Sequence, residues 1–237
     1  MSAFVAQRFT REFRSSLSHK YSTVATALQH SCRRTAASIR DAALDSLMTG
    51  TTLAAAVVHE GYVTCANLGD SRIIVATLRN GGLVPVALTE DHAPEVPRER
   101  KRIESAGGRV ERWTPSGVDT GPPRVWLKDK RLPGLSISRA IGDTILSGIV
   151  TSEPDITAYS LSEQDQFLIV ATDGIWNVMT NQDVVQFVSA HANNSPQRIT
   201  EALVRHAATR WFANGGDTID DISAIVVKLH WPLEPFP

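Results

Sequence analysis

Hydrophobic positions change their spacing along the chain, and this change predicts helices first and strands afterwards. In residues 1–49, Phe9, Phe13 and Leu17 recur four positions apart, which is typical of amphipathic helices that pack on a core. After Gly50 the pattern becomes apolar runs separated by tight-turn sequences such as RNGG at 79–82. Strands joined by turns this short are antiparallel. The first part of the chain therefore predicts a helical pair followed by antiparallel strands.

The rest of the chain predicts further strands and helices in one continuous domain. It predicts a charged helix at 97–106, strands at 109–112, 156–160, 166–172 and 223–230, and helices at 181–192 and from Ser195-Pro196 to the Asn-Gly-Gly at 214–216. Residues 114–133 are rich in Pro, Gly and charge, and they predict an irregular loop or a small flap. Since no repeat or long linker interrupts the order, we predict an α+β fold in a single domain over 1–237.

Composition limits the classes of protein to which the chain can belong. Of its 237 residues 42% are hydrophobic and 21% charged, and the formal net charge is −1, so no global field favours nucleic acid or membrane. No apolar run approaches the ~20 residues that span a bilayer. Cys32 and Cys65 have neither a disulfide framework nor a zinc spacing, and we predict that they are buried free thiols in a reducing compartment. We therefore expect a cytoplasmic or nuclear location.

The N-terminal segment has two alternative interpretations. Up to Arg40 the Arg and Lys side chains are opposed only by Glu12, and Ser and Thr are frequent, which is the composition of a mitochondrial transit peptide. The alternative is a pair of amphipathic surface helices. Because the helical pattern continues without a break into residues 39–47, we favour the helices.

Four aspartate-containing turns are the first candidates for chemistry. They are Gly69-Asp70, Gly142-Asp143, Asp173-Gly174 and Asp220-Asp221, and all lie in loops or at predicted strand ends. Each motif alone is a common turn. Carboxylates that converge at a sheet edge repel each other, and such a cluster is tolerated when a divalent cation lies among them. Sites made of oxygen ligands favour Mg²⁺ or Mn²⁺. The seven histidines form no zinc-binding pair, and neither a P-loop nor a G-x-G-x-x-G motif is present to bind phosphate. The G-x-S-x-G motif of serine hydrolases is also absent, so the sequence offers no candidate side-chain nucleophile.

Eight short motifs in a fixed order carry a family resemblance. They are GTT at 50–52, GDSR at 69–72, LTEDHAP at 88–94, ERKRIESAGG at 99–108, PGLSISRAIGD at 133–143, EPDI at 153–156, ATDGIWNVM at 171–179 and DDISAIVV at 220–227. In this order and spacing the chain resembles the metal-dependent protein phosphatases of the type-2C (PPM) family, from Gly50 to Leu229. The stretch RVWLKDKRLPGLSISRAIGD looks most like the plant and protist branches of that family.

The resemblance implies a fold, a reaction and a set of metal ligands. The family fold is a sandwich of two antiparallel β-sheets with helices on both outer faces. The family reaction is the hydrolysis of phosphoserine and phosphothreonine in proteins by a water bound to two Mn²⁺ or Mg²⁺ ions, so the implied partner is a phosphorylated protein. This reaction needs no side-chain nucleophile, and we assign no catalytic side chain within this sequence. Carried over by motif, Asp173 and Asp220 would bind the two-metal centre, and Asp70 would belong to a third, weaker metal site.

Two departures from the family pattern change what we expect. The family motif D-G-H-G-G does not occur in the chain, so we expect an N-terminally truncated domain that lacks the first strands and has little or no phosphatase activity. The alternative function is a non-catalytic, phosphatase-like binding or regulatory module. Asn177 stands where many members have an aspartate for the third metal, and an amide is a poorer ligand for a hard cation.

Four further residues within these motifs are expected to have structural roles. We predict that Arg139 and Asp143 pin a loop, that His92 is a hydrogen-bonded loop residue, and that Trp176 belongs to the core.

Overall fold

The computed structural model describes residues 1–18, 23–42, 44–118, 120–213 and 219–231. These residues form two compact units, each assembled from separate segments of the chain. The first unit comprises Met1–Leu53, Ala66–Asp70 and Asp91–Ile156, and the second comprises Ala54–Cys65, Ser71–Glu90 and the described residues from Thr157 onward. The single-domain organisation expected for residues 1–237 is not tested by this division and stays a prediction.

Helices and strands occur mainly in separate runs along the chain, as expected for an α+β protein. In chain order they are α1 (Ser2–Leu17), α2 (Val24–Ser38), β1 (Gly50–Thr51), β2 (Leu53–His59), β3 (Tyr62–Leu68), β4 (Arg72–Arg79), β5 (Gly82–Ala87), α3 (Pro97–Ser105), β6 (Gly108–Trp113), β7 (Thr120–Leu127), β8 (Pro133–Leu135), β9 (Ile141–Gly142), β10 (Asp155–Ser160), β11 (Asp165–Ala171), α4 (Asp173–Trp176), α5 (Asn181–Ala190), α6 (Pro196–Ala213) and β12 (Ala224–Lys228). The expected fold class, α+β with antiparallel sheets and helices, is confirmed.

The second unit is built on two sheets that share an apolar layer. One sheet has the strand order β12-β11-β4-β5 and the other has the order β10-β3-β2. Side chains from both sheets, among them Val63 of β3, Ile73 of β4 and Leu168 of β11, form one buried cluster. On β4 the next residue, Ile74, belongs to a different buried cluster on the opposite face. The strand is therefore apolar at nearly every position, because both of its faces are covered.

Helices α5 and α6 cover the outer face of the four-stranded sheet. Val184 and Val188 of α5 and Leu203 of α6 are completely buried in the same cluster as Ile169 of β11. The helix α5 begins with a capping box, in which Thr180 accepts a hydrogen bond from the Asp183 amide at 3.1 Å and the Asp183 carboxylate accepts one from the Thr180 amide at 2.9 Å. The predicted end of the last helix at 214–216 lies outside the described residues.

The first unit contains the helical pair α1 and α2 and a small sheet that we call the flap sheet, with strand order β6-β7-β8. Val110 and Val125 of the flap sheet pack with Ile103 of α3 in a separate core cluster. An irregular loop at 114–133 is therefore wrong for residues 120–127, which form β7, whereas the alternative of a small flap fits. The high Pro, Gly and charge content of the segment concealed this strand, in which the adjacent residues Val125 and Trp126 are both buried.

Both cysteines are buried free thiols, as predicted. Burial raises the pKa of Cys32 and of Cys65 to about 12, so both remain protonated and unreactive at neutral pH. In the part of the chain that the structure describes, no helix is long and apolar enough to cross a membrane.

Truncation of a buried side chain of α6 tests the packing of this helix on the sheet. Leu203 is completely buried, whereas Phe212 of the same helix is 67% exposed. We expect Leu203→Ala to lower the free energy of unfolding by about 2–5 kcal/mol, because it leaves a cavity, and Phe212→Ala to change it by less than about 0.5 kcal/mol. Urea unfolding of the two variants provides the comparison, and equal losses would contradict the packing described here.

Candidate active site

Asp173 lies where β11 passes into the short helix α4. Its carboxylate is half-buried and accepts a hydrogen bond from Nδ2 of Asn177 at 3.3 Å. Burial raises the pKa of the Asp173 carboxyl, and the negative charge of nearby Asp220 raises it further. The structure therefore brings together two of the three aspartates that the sequence predicts as metal ligands.

The pairing of β11 with β12 explains why these two aspartates are neighbours. Ala171 at the end of β11 stands opposite Ala224 at the start of β12. Beyond the strands, the Thr172 amide donates to the Ser223 carbonyl at 3.0 Å, and the Ser223 amide donates to the Thr172 hydroxyl at 3.0 Å. This pairing places the residue after Thr172 beside the segment that leads into β12.

Gly174 allows the two carboxylate-bearing segments to approach closely. A Cβ atom on Gly174 would lie 2.5 Å from the backbone oxygen of Asp221, which is closer than side chains tolerate. The Gly174 carbonyl in turn accepts a hydrogen bond from the indole of Trp211 in α6 at 2.7 Å. The Asp-Gly sequence thus serves both as a turn and as a contact point, because only glycine leaves room for the segment that carries Asp220.

The carboxylate oxygens of Asp173 and Asp220 are ligands that a hard divalent cation prefers, but two carboxylates alone do not form a complete metal site. Mg²⁺ or Mn²⁺ stabilises carboxylates that lie near each other, and both ions prefer oxygen ligands. Among the described residues, no group of three or more His, Cys, Asp or Glu side chains is placed to hold a metal ion. Asp173 and Asp220 would therefore supply two of the roughly six ligands that such an ion takes, and water or other donors would supply the rest.

Asp70 belongs to the first unit, at a bend that follows β3. The preceding residue, Gly69, is held by His92: the Gly69 amide donates to Nδ1 of His92 at 3.1 Å, and the Gly69 carbonyl accepts from the His92 amide at 3.0 Å. Gly69 has a φ of +98°, and a side chain there would collide with Thr52. The backbone at Asp70 is thus tightly constrained, while its role in a third metal site stays a prediction.

A buried ion-pair network fixes the surroundings of this bend. Glu99 on α3 is 1% exposed, and its carboxylate accepts hydrogen bonds from Arg139 at 2.6 Å, Arg102 at 2.8 Å and the Ser138 hydroxyl at 2.8 Å. Burial alone would raise the pKa of Glu99, but these three donors outweigh it and lower the pKa to about 2. The carboxylate is therefore ionised throughout the physiological pH range.

The network continues from Arg139 to the histidine that holds Gly69. Arg139 donates to Oδ1 of Asp155 at 2.6 Å, and the other oxygen of Asp155 lies 3.2 Å from Nε2 of His92, within the distance of a hydrogen bond but not in its geometry. His92 is completely buried, and burial followed by the positive charge of Arg139 lowers its pKa. The ring is therefore neutral at neutral pH, and its Nδ1 can accept the proton of the Gly69 amide.

Comparison with known proteins decides the family of the chain. The model of the Protein phosphatase 2C family matches residues 3–214. The chain belongs to this family. The match includes α1 and α2, so it supports the interpretation of the basic N-terminal segment as part of the fold.

Two plant relatives and one solved structure illustrate the similarity of this protein phosphatase 2C family member to known proteins. Probable protein phosphatase 2C 12 of Oryza sativa subsp. japonica is 38% identical over 193 residues, which cover 79% of this chain and 48% of the relative. Probable protein phosphatase 2C 34 of Arabidopsis thaliana is 38% identical over 191 residues, covering 79% and 52%. The crystal structure of serine-threonine phosphatase 2C from Toxoplasma gondii superposes with a TM-score of 0.76 at 22% identity, covering 95% of this chain and 78% of that one.

These comparisons differ in what they show about this protein phosphatase 2C family member. The likeness to the Toxoplasma structure speaks for the fold alone, because the identity is low. The chain spans about half the length of the curated plant relatives that it matches.

Three of the expected structural roles are visible in this protein phosphatase 2C family member. Arg139 pins a loop through its bonds to Glu99, and His92 is a hydrogen-bonded loop residue. Trp176 is 8% exposed and donates from its indole to the Ala171 carbonyl at 2.8 Å, so its place in the core is confirmed.

The residues that sequence reasoning missed include Glu99 and Asp155. The sequence did contain a signal for Glu99. Glu99 lies four residues before Ile103, so its carboxylate is on the same side of α3 as the buried apolar residue. Asp155 carried no comparable signal, because its partners Arg139 and His92 are distant in the sequence.

The first prediction from the site concerns the charge of Glu99. We expect Glu99→Gln to cost about 3 kcal/mol at pH 7, because it leaves Arg139 buried without its main partner. The carboxylate's contribution is fully present above its ordinary pKa of 4.5 and is lost as the pH falls towards about 2. The wild-type free energy of unfolding should therefore fall on acidification from pH 5 to pH 3 more steeply than that of Glu99→Gln.

The matched control for this experiment is Glu104→Gln. Glu104 lies on the same helix with its side chain 51% exposed, and among the described residues its ion-pair partner is Arg100. The change should alter the free energy of unfolding by less than about 1 kcal/mol. If Glu104→Gln and Glu99→Gln were equivalent at pH 7 and showed the same pH dependence, the buried network would not have the importance assigned to it.

The second prediction concerns the repulsion between the paired aspartates. In metal-free protein we expect Asp173→Asn to raise the melting temperature by about 2–4 °C, since it removes one of two like charges while keeping an acceptor for Asn177. Asp220→Asn should act in the same direction, and the double variant should gain less than the sum of the two single variants. Asp129→Asn, in an exposed turn, is the control. Destabilisation by both single variants would show that the two charges do not oppose each other.

Proposed function

We propose that this chain carries part of the active site of a Mn²⁺- or Mg²⁺-dependent protein serine/threonine phosphatase, which hydrolyses phosphoserine and phosphothreonine in proteins. The observation that carries the proposal is the proximity of Asp173 and Asp220 beside the adjoining ends of β11 and β12, where the charge of Asp220 adds to burial in raising the pKa of Asp173. Such an arrangement is costly for folding alone and becomes favourable when a divalent cation is bound. Membership of the Protein phosphatase 2C family supports the assignment of the reaction.

The side chains around the pair have definable tasks in this function. The Asn177 amide orients the Asp173 carboxylate, and the Asp221 amide donates to Oδ1 of Asp220 at 2.8 Å. Both carboxylates thereby keep free oxygen lone pairs for a cation. A cation bound there would lower the pKa of a coordinated water and offset the charge of the phosphoryl oxygens. Asn177 also occupies the position expected for a third-site ligand, and here it serves Asp173 instead.

The alternative function is a non-catalytic binding or regulatory module of the phosphatase type. Two observations favour it: the D-G-H-G-G motif does not occur in the 237 residues, and the described residues provide two clustered carboxylates rather than a closed metal site. Under this alternative the fold would present a surface to a phosphorylated partner without hydrolysing it. The two functions differ in whether a bound metal activates water.

A phosphopeptide assay separates the two functions. We expect the purified chain with excess Mn²⁺ to release phosphate slowly from a phosphoserine peptide, because the donor set is incomplete, and we expect Asp173→Asn and EDTA each to abolish this release. Asp129→Asn should retain it. If the Asp173→Asn variant still released phosphate from the peptide, the metal ligands would have to be other residues. Absence of any release from a chain that still binds Mn²⁺ through Asp173 would favour the non-catalytic module.

A further inference from the structure

A second concave site lies within the first unit, between α2 and the segment 140–152. Its volume is about 290 Å³, which is near the lower limit for small-ligand pockets. Neither Asp173 nor Asp220 lines it, and both belong to the second unit. The pocket is therefore separate in composition from the candidate metal site.

One wall of the pocket is a stripe of α2 and the turn that follows it. Arg33, Ala36, Ala37 and Arg40 line the pocket, and their spacing of three, one and three residues places them on one side of the helix. We call Ala36 and Ala37 the floor of the pocket. Their side chains are single methyl groups, so they leave space above them for a ligand. An arginine stands at each end of this floor.

The opposite wall offers hydroxyl groups. Thr144, Ser147 and Ser152 line it, and the Thr144 hydroxyl is already used by the Ser46 carbonyl at 3.0 Å. The hydroxyls of Ser147 and Ser152 make no hydrogen bond to any residue that the structure describes. Two hydroxyl donors are thus available to a ligand.

The charges around the pocket leave a positive excess. Arg33 is engaged by the Glu153 carboxylate through Nε at 2.8 Å and Nη2 at 2.7 Å. Arg40 has no ion-pair partner within the described part of the chain. Asp143 does not line the pocket, and its carboxylate lies where a Cβ atom on Gly50 would stand. The guanidinium of Arg40, which has no ion pair among the described residues, therefore lines the same pocket as the two available hydroxyls.

We propose that this pocket binds a phosphate group, either as inorganic phosphate or as a phosphorylated side chain. A guanidinium matches the planar spacing of phosphate oxygens, and a phosphate has enough acceptor oxygens to take up donors from two facing walls at once. Arg40 supplies the charge, Ser147 and Ser152 supply hydroxyl donors, and the methyl floor of Ala36 and Ala37 provides the space. The site requires neither a metal ion nor hydrolysis, so it does not depend on the function proposed above.

Calorimetric titration of the purified chain in EDTA tests this proposal, because hydrolysis is suppressed without divalent metal. The probes are inorganic phosphate, a phosphoserine peptide and the same peptide without phosphate. We expect Arg40→Gln to weaken binding of the phosphorylated probes by about tenfold or more, as expected for loss of a charge-assisted hydrogen bond. Ala36→Leu should weaken it comparably without changing any charge, because the larger side chain fills the floor.

Two further variants make the test decisive. Arg11→Gln removes an exposed charge from α1, outside the pocket, and should leave binding unchanged. Ser147→Ala removes a single exposed hydroxyl, so it reports on the pocket even if Ala36→Leu disturbs folding. Tighter binding of the phosphopeptide than of inorganic phosphate would identify a phosphorylated segment as the ligand, and equal or weaker binding would identify free phosphate.

Three results would overturn the proposal. The first is the absence of binding heat with either phosphorylated probe at millimolar concentration. The second is equal weakening by Arg11→Gln and Arg40→Gln, which would indicate diffuse attraction to surface charge. The third is wild-type affinity in both Arg40→Gln and Ser147→Ala.

Discussion

The position of β11 between two antiparallel partners is the constraint on which the second unit depends. Residues 167–171 pair with β12 on one side and with β4 on the other. Successive side chains of β11 point to opposite faces, so Ile169 enters the cluster under α5 and α6 while Leu168 enters the cluster between the sheets. A slip of one residue would exchange both sets, and it would also separate Asp173 from Asp220. The register that fills the two cores thus also sets the candidate metal site.

In the first unit a buried charge has the corresponding organising role. A carboxylate as buried as that of Glu99 is tolerated only when its hydrogen-bonding capacity is satisfied, and Arg139, Arg102 and Ser138 satisfy it. Through Arg139 the same network reaches Asp155. The family motifs around these residues look unrelated in the sequence, yet they supply the members of one network. The network holds backbone segments in place, among them the bend at Gly69.

Sequence patterns predicted the parts of this structure that depend on local periodicity or on neighbouring strands. The helices, most of the strands and the pairing of Asp173 with Asp220 follow from apolar spacing, turn residues and motif order. The network around Glu99 could not be predicted from the sequence, because its members come from four separate segments and their contacts depend on tertiary packing. The strand β7 was missed for a different reason: its Gly and Pro residues favour turns, and its two buried residues, Val125 and Trp126, are adjacent and so do not show the alternation of a strand.

Whether Asp173 and Asp220 form a cation site is tested most sharply by paramagnetic broadening of the amide NMR signals of ¹⁵N-labelled protein by substoichiometric Mn²⁺. We expect broadening to be strongest at the amides of Gly174 and Asp221, which adjoin the two carboxylates, and we expect Asp173→Asn to remove it. Amides buried far along the sheet, such as that of Phe167, should be the least affected. Broadening centred on other residues, or unchanged in Asp173→Asn, would contradict the claim.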